Sequence, residues 1–329
     1  MQFLQSMCVL ILVFVMLLNV SCGRQLPNGC PPVCPEANLR GGDLTGVNLA
    51  EANLMGAMLA GSQLRKANLQ GVNLSGADLR NAQLIEANLT GAQLSGANLT
   101  GANLTRAILN NTDLTGANLT RATLTGVDLT QNVRLNAVIL NEARLIGARL
   151  WGVDLTGTQL LGADLRGANL VGADLSGANL GDSESKRGAL LRGADLRGVR
   201  LSGADLAYSD LAGTDFSRGQ LDSILTDSTE FAGANLNKAN LMGANLNYTN
   251  LSGAKLEAAQ LARAQLRGVL LYGAALSAAN LQEVELTPIQ YSKSREQPSA
   301  GVGLSGVSYN QETQWPTDYS PPLSAVLEE

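Results

Sequence analysis

The sequence predicts an all-β chain wound into a coil around a column of leucines. Leucine recurs at every fifth position from Leu39 to Leu129 without exception. A small residue, usually alanine, stands two places before each leucine, as at Ala77, Ala97, Ala173 and Ala244. The period itself excludes the regular elements. At about 100° per residue in a helix, leucines five apart step by roughly 140° and form no face. In a straight strand an odd period sends successive leucines to opposite faces. Alanine and leucine two apart do share one face of a short extended segment. A chain that turns the same way every five residues points each such pair inward and closes a square or triangular coil. The glycine and polar residues that follow each leucine suit the corners.

Taken in order, the chain opens on residues 1–22, read as a signal peptide or membrane anchor. Met1 to Gly23 carries no charged side chain, and Met7 to Val20 is almost wholly apolar. That length matches a signal-peptide apolar region and is short of the about 20 residues a membrane span needs. The run Val20-Ser21-Cys22 resembles the end of a lipoprotein signal, which makes Cys22 a candidate for lipidation after cleavage. Asn19 stands where such signals usually carry leucine, and the region before the apolar stretch has no Lys or Arg. A cleaved signal and an uncleaved anchor helix are the alternatives, and all three readings place the body outside the cytoplasm. Residues 23–36 form a Cys/Pro linker. Cys30 and Cys34 (CPPVCP) are candidates for a short disulfide, which exported compartments permit. The competing metal reading lacks ligands, because the chain has 4 cysteines and no histidine.

The repeat body covers residues 37–286. Nineteen units run from Leu39 to Leu129 before a one-residue insertion near Gln131-Asn132 resets the phase. Ten more run from Leu135 to Leu180, and twenty from Leu191 to Leu286, with Phe216 and Phe231 replacing leucine and Thr226 the polar exception. Val47, Val72 and Thr112 are variants at the alanine position.

Units such as ADLRN at 77–81, ANLTG at 97–101 and ADLSG at 173–177 resemble those of the pentapeptide repeat family, in its bacterial, cyanobacterial-type exported form. The resemblance spans about three quarters of the chain. It implies a right-handed quadrilateral β-helix with four units per coil, hence about twelve coils. At the spacing of neighbouring strands, the coils stack to roughly 60 Å. Four units per coil also implies that residues twenty apart stack. Asn48, Asn68 and Asn88 are then expected to form one amide ladder, and Asn53 and Asn73 another.

Two stretches depart from the repeat. Gly181 to Ala189 (GDSESKRGA), with Leu190 following, reads as a surface loop at a corner and a candidate recognition loop. Residues 287–303, with Pro288 and Pro298, read as a flexible excursion. Residues 304–329 contain one last unit, Leu304 to Tyr309, followed by a terminal segment and tail. Tyr309, Trp315, Pro316 and Tyr319 are expected to fold over the open end and cover its leucines and strand edges.

Charge and composition narrow the function classes. Charged residues are 16% of the chain and its net charge is −5, much of it in the tail. A nearly neutral body has no long-range field for nucleic acid or for an anionic membrane. Without histidine, triads and histidine bases are excluded. Stacked carboxylates, Asp154 over Asp174 and Asp195 over Asp215, are the candidates for acid–base or cation chemistry. The competing reading is an ordinary outward position neutralised by Arg197 or Arg192. No catalytic residue, cofactor or metal is expected, and the chain is not expected to be an enzyme. The expected function is an exported, membrane-tethered scaffold for an unknown protein partner, in the periplasm or an equivalent lumen, bound to the membrane through its N-terminus. The alternatives are a structural spacer without a specific partner, or a DNA mimic acting on topoisomerases, as the family resemblance allows. A DNA mimic of this length would need about 35 charges. A closed carboxyl end favours a monomer, whereas the resemblance allows an end-to-end dimer.

Overall fold

The computed structural model describes residues 35–182, 184–216, 231–284, 307–317 and 326–327. The segment carrying Cys22, Cys30 and Cys34, and the anchor helix expected there, lies outside the described residues. The chain divides into two compact units, Met1–Arg149 and Leu150–Glu329. Both are all-β solenoids, and each is built from the same five-residue side.

In the first unit each side is a short extended stretch whose two middle residues bond to the coils above and below. Leu39 N–H donates to the Met58 carbonyl at 2.7 Å, and Met58 N–H donates back to the Ala37 carbonyl at 2.8 Å. The parallel bridges Asn48↔Asn68↔Asn88 and Asn53↔Asn73 fix the register at twenty residues, four sides per turn. After the insertion at Gln131-Asn132 the register is twenty-one, as in Asp113↔Arg134 and Asp128↔Arg149. Alanine and leucine point inward from every side. Leu54, Leu64, Leu74 and Leu84 are 0% exposed, as are Ala57, Ala67, Ala77 and Ala87.

The corners are β-turns closed by a bond such as Gly42 N–H to the Leu39 carbonyl, 3.1 Å. The third turn residue has positive φ throughout, as at Gly41 (62°) and Gly46 (66°), a conformation glycine adopts without steric penalty. Where another residue occupies the corner, the coil below often engages it. Lys66 (φ 57°) stands over Glu86 (φ 57°) with a 3.6 Å ion pair, and Arg121 (φ 59°) over Glu142 (φ 57°) at 2.7 Å. Asn132 donates its amide to Asn111 at 3.2 Å across another corner.

The second unit repeats this construction with two changes of register. The bridges Asp154↔Asp174 and Asp195↔Asp215 keep twenty. Across residues 181–189 the register is twenty-six, as in Asn169↔Asp195, and from Asp210↔Asn235 and Asp215↔Asn240 it is twenty-five. Leu206 therefore lies over Phe231, since Tyr208 N–H donates to the Ala232 carbonyl. This register is five residues longer than the twenty of an uninterrupted turn, and residues 217–230 lie outside the described residues. The two phenylalanines fill central positions and meet edge to face, centroids 6.2 Å apart.

Threonine hydroxyls at the alanine position are absorbed by the backbone, whereas the buried Ser62 hydroxyl has no hydrogen-bond partner. Thr158, Thr214 and Thr249 donate to the carbonyls of Leu155, Leu211 and Leu246 at 2.7–2.9 Å. Thr112 donates to the Leu89 carbonyl of the previous coil at 2.9 Å. A threonine thus fits the core by closing its own hydrogen bond, which a buried hydroxyl requires.

Candidate functional site

The outward residue before each leucine behaves differently from the amide ladder expected of it. Asn68 does donate to Asn48 at 2.9 Å. More often the side-chain oxygen turns sideways and accepts the backbone N–H two residues on. Asn53 accepts from Met55 at 3.2 Å and Asn73 from Ser75 at 3.0 Å. In Asn88, Asn98 and Asn103 the same oxygen also takes the hydroxyl of Thr90, Thr100 and Thr105, at 2.6–2.7 Å. The preference for Asp or Asn is therefore mainly a turn-closing device, the local bond these side chains make best.

The carboxylate stacks form as expected, and one carboxyl of each, Asp174 and Asp195, is held below the ordinary value. Arg197 grips Asp195 through two bonds of 2.8 and 2.7 Å and lowers its pKa below the ordinary value. Burial pushes the Asp174 carboxyl up, but hydrogen bonds from Ser176 and Arg200 outweigh it and leave it lowered. Arg192 lies 3.6 Å from Asp210 rather than beside the Asp195 pair. Asp215 accepts the amide of Asn240 at 3.1 Å. A general acid needs the opposite shift. Among the described residues, no group of three Cys, Asp or Glu side chains is placed to hold a metal ion. A shallow groove of about 840 Å³ runs beside this stack, lined by Val171, Arg197, Asp215, Asn240, Met242 and Arg263 among others.

The expected surface loop is a compact antiparallel hairpin. Strands β1 (Gly181–Asp182) and β2 (Arg187–Gly188) pair Gly181 with Gly188 and Asp182 with Arg187. Asp182 ties the tip together: it accepts Glu184 N–H at 2.9 Å and the Ser185 hydroxyl at 2.6 Å. Ala189 N–H donates to the Leu180 carbonyl at 2.7 Å, so the coil resumes directly at the hairpin base. Both base glycines are required by close approach. A Cβ on Gly181 would meet the Ala207 backbone, and one on Gly188 the backbone of Tyr208 and Ser209. Glu184, Lys186 and Arg187 are exposed. Beside the base lie two apolar side chains the repeat does not bury, Leu190 (40% exposed) and Tyr208 (37%). Sequence reasoning missed both, although Leu190 replaces the usual Asp or Asn.

At the carboxyl end, Val307-Ser308-Tyr309 and Thr313-Gln314-Trp315 each occupy a full side. Leu276 N–H donates to the Ser308 carbonyl and Leu281 N–H to the Gln314 carbonyl, both at 2.7 Å. Tyr309 and Trp315 thus follow Leu276 and Leu281 at the central position, their rings edge to face at 5.5 Å. Pro316 follows directly and is half-buried, and Tyr319 lies outside the described residues. Asn310 organises the corner, accepting Ala278 N–H at 2.8 Å and Glu312 N–H at 3.1 Å. Strand β3 (Ser308–Tyr309) pairs in parallel with β4 (Val326–Leu327), which the repeat pattern did not anticipate.

The family model for pentapeptide repeats matches in 8 copies, over residues 36–71, 62–101, 97–131, 132–182, 187–219, 227–259 and 259–287. Among solved structures, HetL, a pentapeptide repeat protein involved in heterocyst differentiation regulation in the cyanobacterium Nostoc sp. strain PCC 7120, is 33% identical over 75% of this chain and 90% of its own, with a TM-score of 0.21. Rfr23 from the cyanobacterium Cyanothece 51142 is 25% identical over 48% of this chain and 90% of its own, TM-score 0.27. A pentapeptide repeat protein of the Arabidopsis thaliana thylakoid lumen is 33% identical over 35% of this chain and 69% of its own, TM-score 0.17. None of the curated proteins matches the chain. With the five-residue side, the four-sided register and a family match over most of the described residues, the chain belongs to the pentapeptide repeat family.

Proposed function

We propose that the protein is an exported, membrane-tethered scaffold that binds a protein partner through the hairpin at 181–188. The observation that carries this reading is the hairpin itself. Elsewhere the outward residues of each unit largely close their own turns, which leaves them little bonding capacity for a partner. The hairpin instead projects charged side chains and leaves Leu190 and Tyr208 exposed at its base. A rigid scaffold carrying one departure from its repeat is the usual setting of a binding loop. Export and tethering rest on the apolar Met7 to Val20 segment and on Cys22. The near-neutral repeat body argues against a DNA mimic.

Deletion of 181–188 is the direct test, because Leu180 and Ala189 are already hydrogen-bonded across the hairpin base. Partners recovered from membranes with the wild-type chain are expected to be lost with the deletion. Equal recovery leaves the spacer reading. Mass spectrometry of the mature amino terminus tests the tether: a diacyl or triacyl group is expected on Cys22, and an unmodified cytosolic chain overturns it.

A further inference from the structure

In the first unit the basic residues divide by position. Arg40 and Arg80 both bridge to Asp78, at 3.5 and 2.7 Å. Arg121 pairs with Glu142 at 2.7 Å, Arg134 with Asp113 at 3.5 Å and Arg149 with Asp128 at 3.2 Å. Three exposed arginines have no ion pair within the described residues of this unit: Arg65, Arg106 and Arg144. All three lie along the same side. Arg144 ends the outward row Asp43–Gln63–Gln83–Asn103–Thr123–Arg144. Arg65 and Arg106 stand on the corner that follows this row, where the bonds Gly46→Arg65, Lys66→Ile85, Glu86→Thr105 and Arg106→Thr125 stack five successive coils. Lys66 belongs to the same corner, held 3.6 Å from Glu86. The acids on this side are Glu86 and Asp43, and Asp43 is engaged by Thr45 N–H at 3.0 Å on the first coil. The strip therefore carries four cations against two anions, whereas the other described arginines of the unit each bridge to an acid, Arg40 and Arg80 sharing Asp78.

We propose that this strip docks on the phosphate headgroups of an anionic bilayer and lays the first unit along the membrane. Charge complementarity supports that occupant. An arginine left without an acid keeps its planar donor fork available, and that fork matches phosphate oxygens two at a time. The strip is also straight, because the coil register stacks its corner residues at strand spacing. The inference extends the tethering reading, since an anchor before residue 35 holds this unit close to the bilayer, but the strip's contribution is measured separately from the anchor's.

The test compares the full chain on phosphatidylcholine vesicles with and without phosphatidylglycerol, at physiological salt. Binding to phosphatidylcholine alone reports the apolar amino-terminal segment. The ratio between the two vesicle types reports the strip. Each basic residue near an anionic surface contributes a factor of about five, so Arg65→Gln/Arg106→Gln/Arg144→Gln is expected to lower that ratio by about 100-fold. A matched variant, Arg40→Gln/Arg134→Gln/Arg149→Gln, removes the same charge from paired positions and is expected to keep most of it. Circular dichroism confirms that both variants fold. Equal binding of the wild type to both vesicle types overturns the strip and leaves the anchor standing. So does an equal loss in the two triple variants, which makes the effect one of net charge. Binding of the wild type to an acidic polypeptide but not to phosphatidylglycerol vesicles points to a protein partner instead, and overturns the lipid assignment.

Discussion

At the scale of single residues, the corner position is the most constrained point of the unit. Ala137 adopts φ 54° and Ala258 φ 55°, where a Cβ crowds the following carbonyl. A left-handed residue other than glycine costs about 1–2 kcal/mol. Ala137→Gly is therefore expected to raise the urea midpoint, the gain reduced by the extra freedom glycine has in the unfolded chain. An unchanged or lower midpoint means the corner is not strained. The inward position has the opposite sign. Leu74 is fully buried, and Leu74→Ala is expected to lose about 2–5 kcal/mol, read from the same unfolding curve. The outward carboxylates add a pH dependence. The Arg80 hydrogen bond, helped by the Arg80 and Arg40 charges, holds Asp78 below the ordinary value of 3.8. Because the folded pKa is depressed, the associated stability is complete above 3.8 and is lost as the pH falls through the lowered folded value. NMR titration of Asp78 is expected to give a midpoint below 3.8, moving upward in Arg80→Gln.

At the scale of the element, the hairpin shows how a solenoid accepts an insertion. Leu180 and Ala189 bond to each other across its base, so the coil above and the coil below see an ordinary corner. The insertion changes the register to twenty-six and nothing else in the pairing. Its cost is local, at the two base glycines that lie against the Ala207 and Ser209 backbones. Gly188→Val is expected to displace the hairpin, which shows as faster amide exchange at Glu184 to Arg187 while the exchange of Leu191 and Leu211 stays slow. Uniform acceleration over the whole second unit would mean that the hairpin is part of the cooperative core. Tyr208 has a second role on the same corner. Its ring lies over Gly233, covering the backbone that a glycine leaves bare.

At the scale of the molecule, stability comes from stacking, and the terminal coils are its weak points. Each side bonds only to the coils next to it, so an end exposes both core and strand edges. Tyr309 and Trp315 follow Leu276 and Leu281 in their columns, and β4 pairs with the backbone of β3. Truncation after residue 303 removes both. It is expected to yield a chain that binds an apolar dye and self-associates in light scattering, with Trp315→Ala an intermediate case. A truncated chain that stays monomeric would assign the terminal segment a role other than closure.

Much of this was legible in the sequence. The period of five, with alanine two places before leucine, determines the inward pairs and the corners, because no helix or straight strand can gather leucines at that spacing. The stacking of Asp195 on Asp215 and of Asp154 on Asp174 follows from the same arithmetic once four units make a turn. What the sequence could not determine is how each unit connects across space. The register of twenty-five around Phe216 and Phe231 is fixed by which coil lies beneath Leu206, not by local spacing. The outward Asp and Asn side chains read as a ladder, yet a turn N–H two residues away is a nearer donor than the next coil. That Arg65, Arg106 and Arg144 have no ion pair within the described residues of the first unit is likewise invisible in a neutral composition. Whether an arginine meets an acid depends on which residues the coil stacks against it, and only the tertiary register decides that.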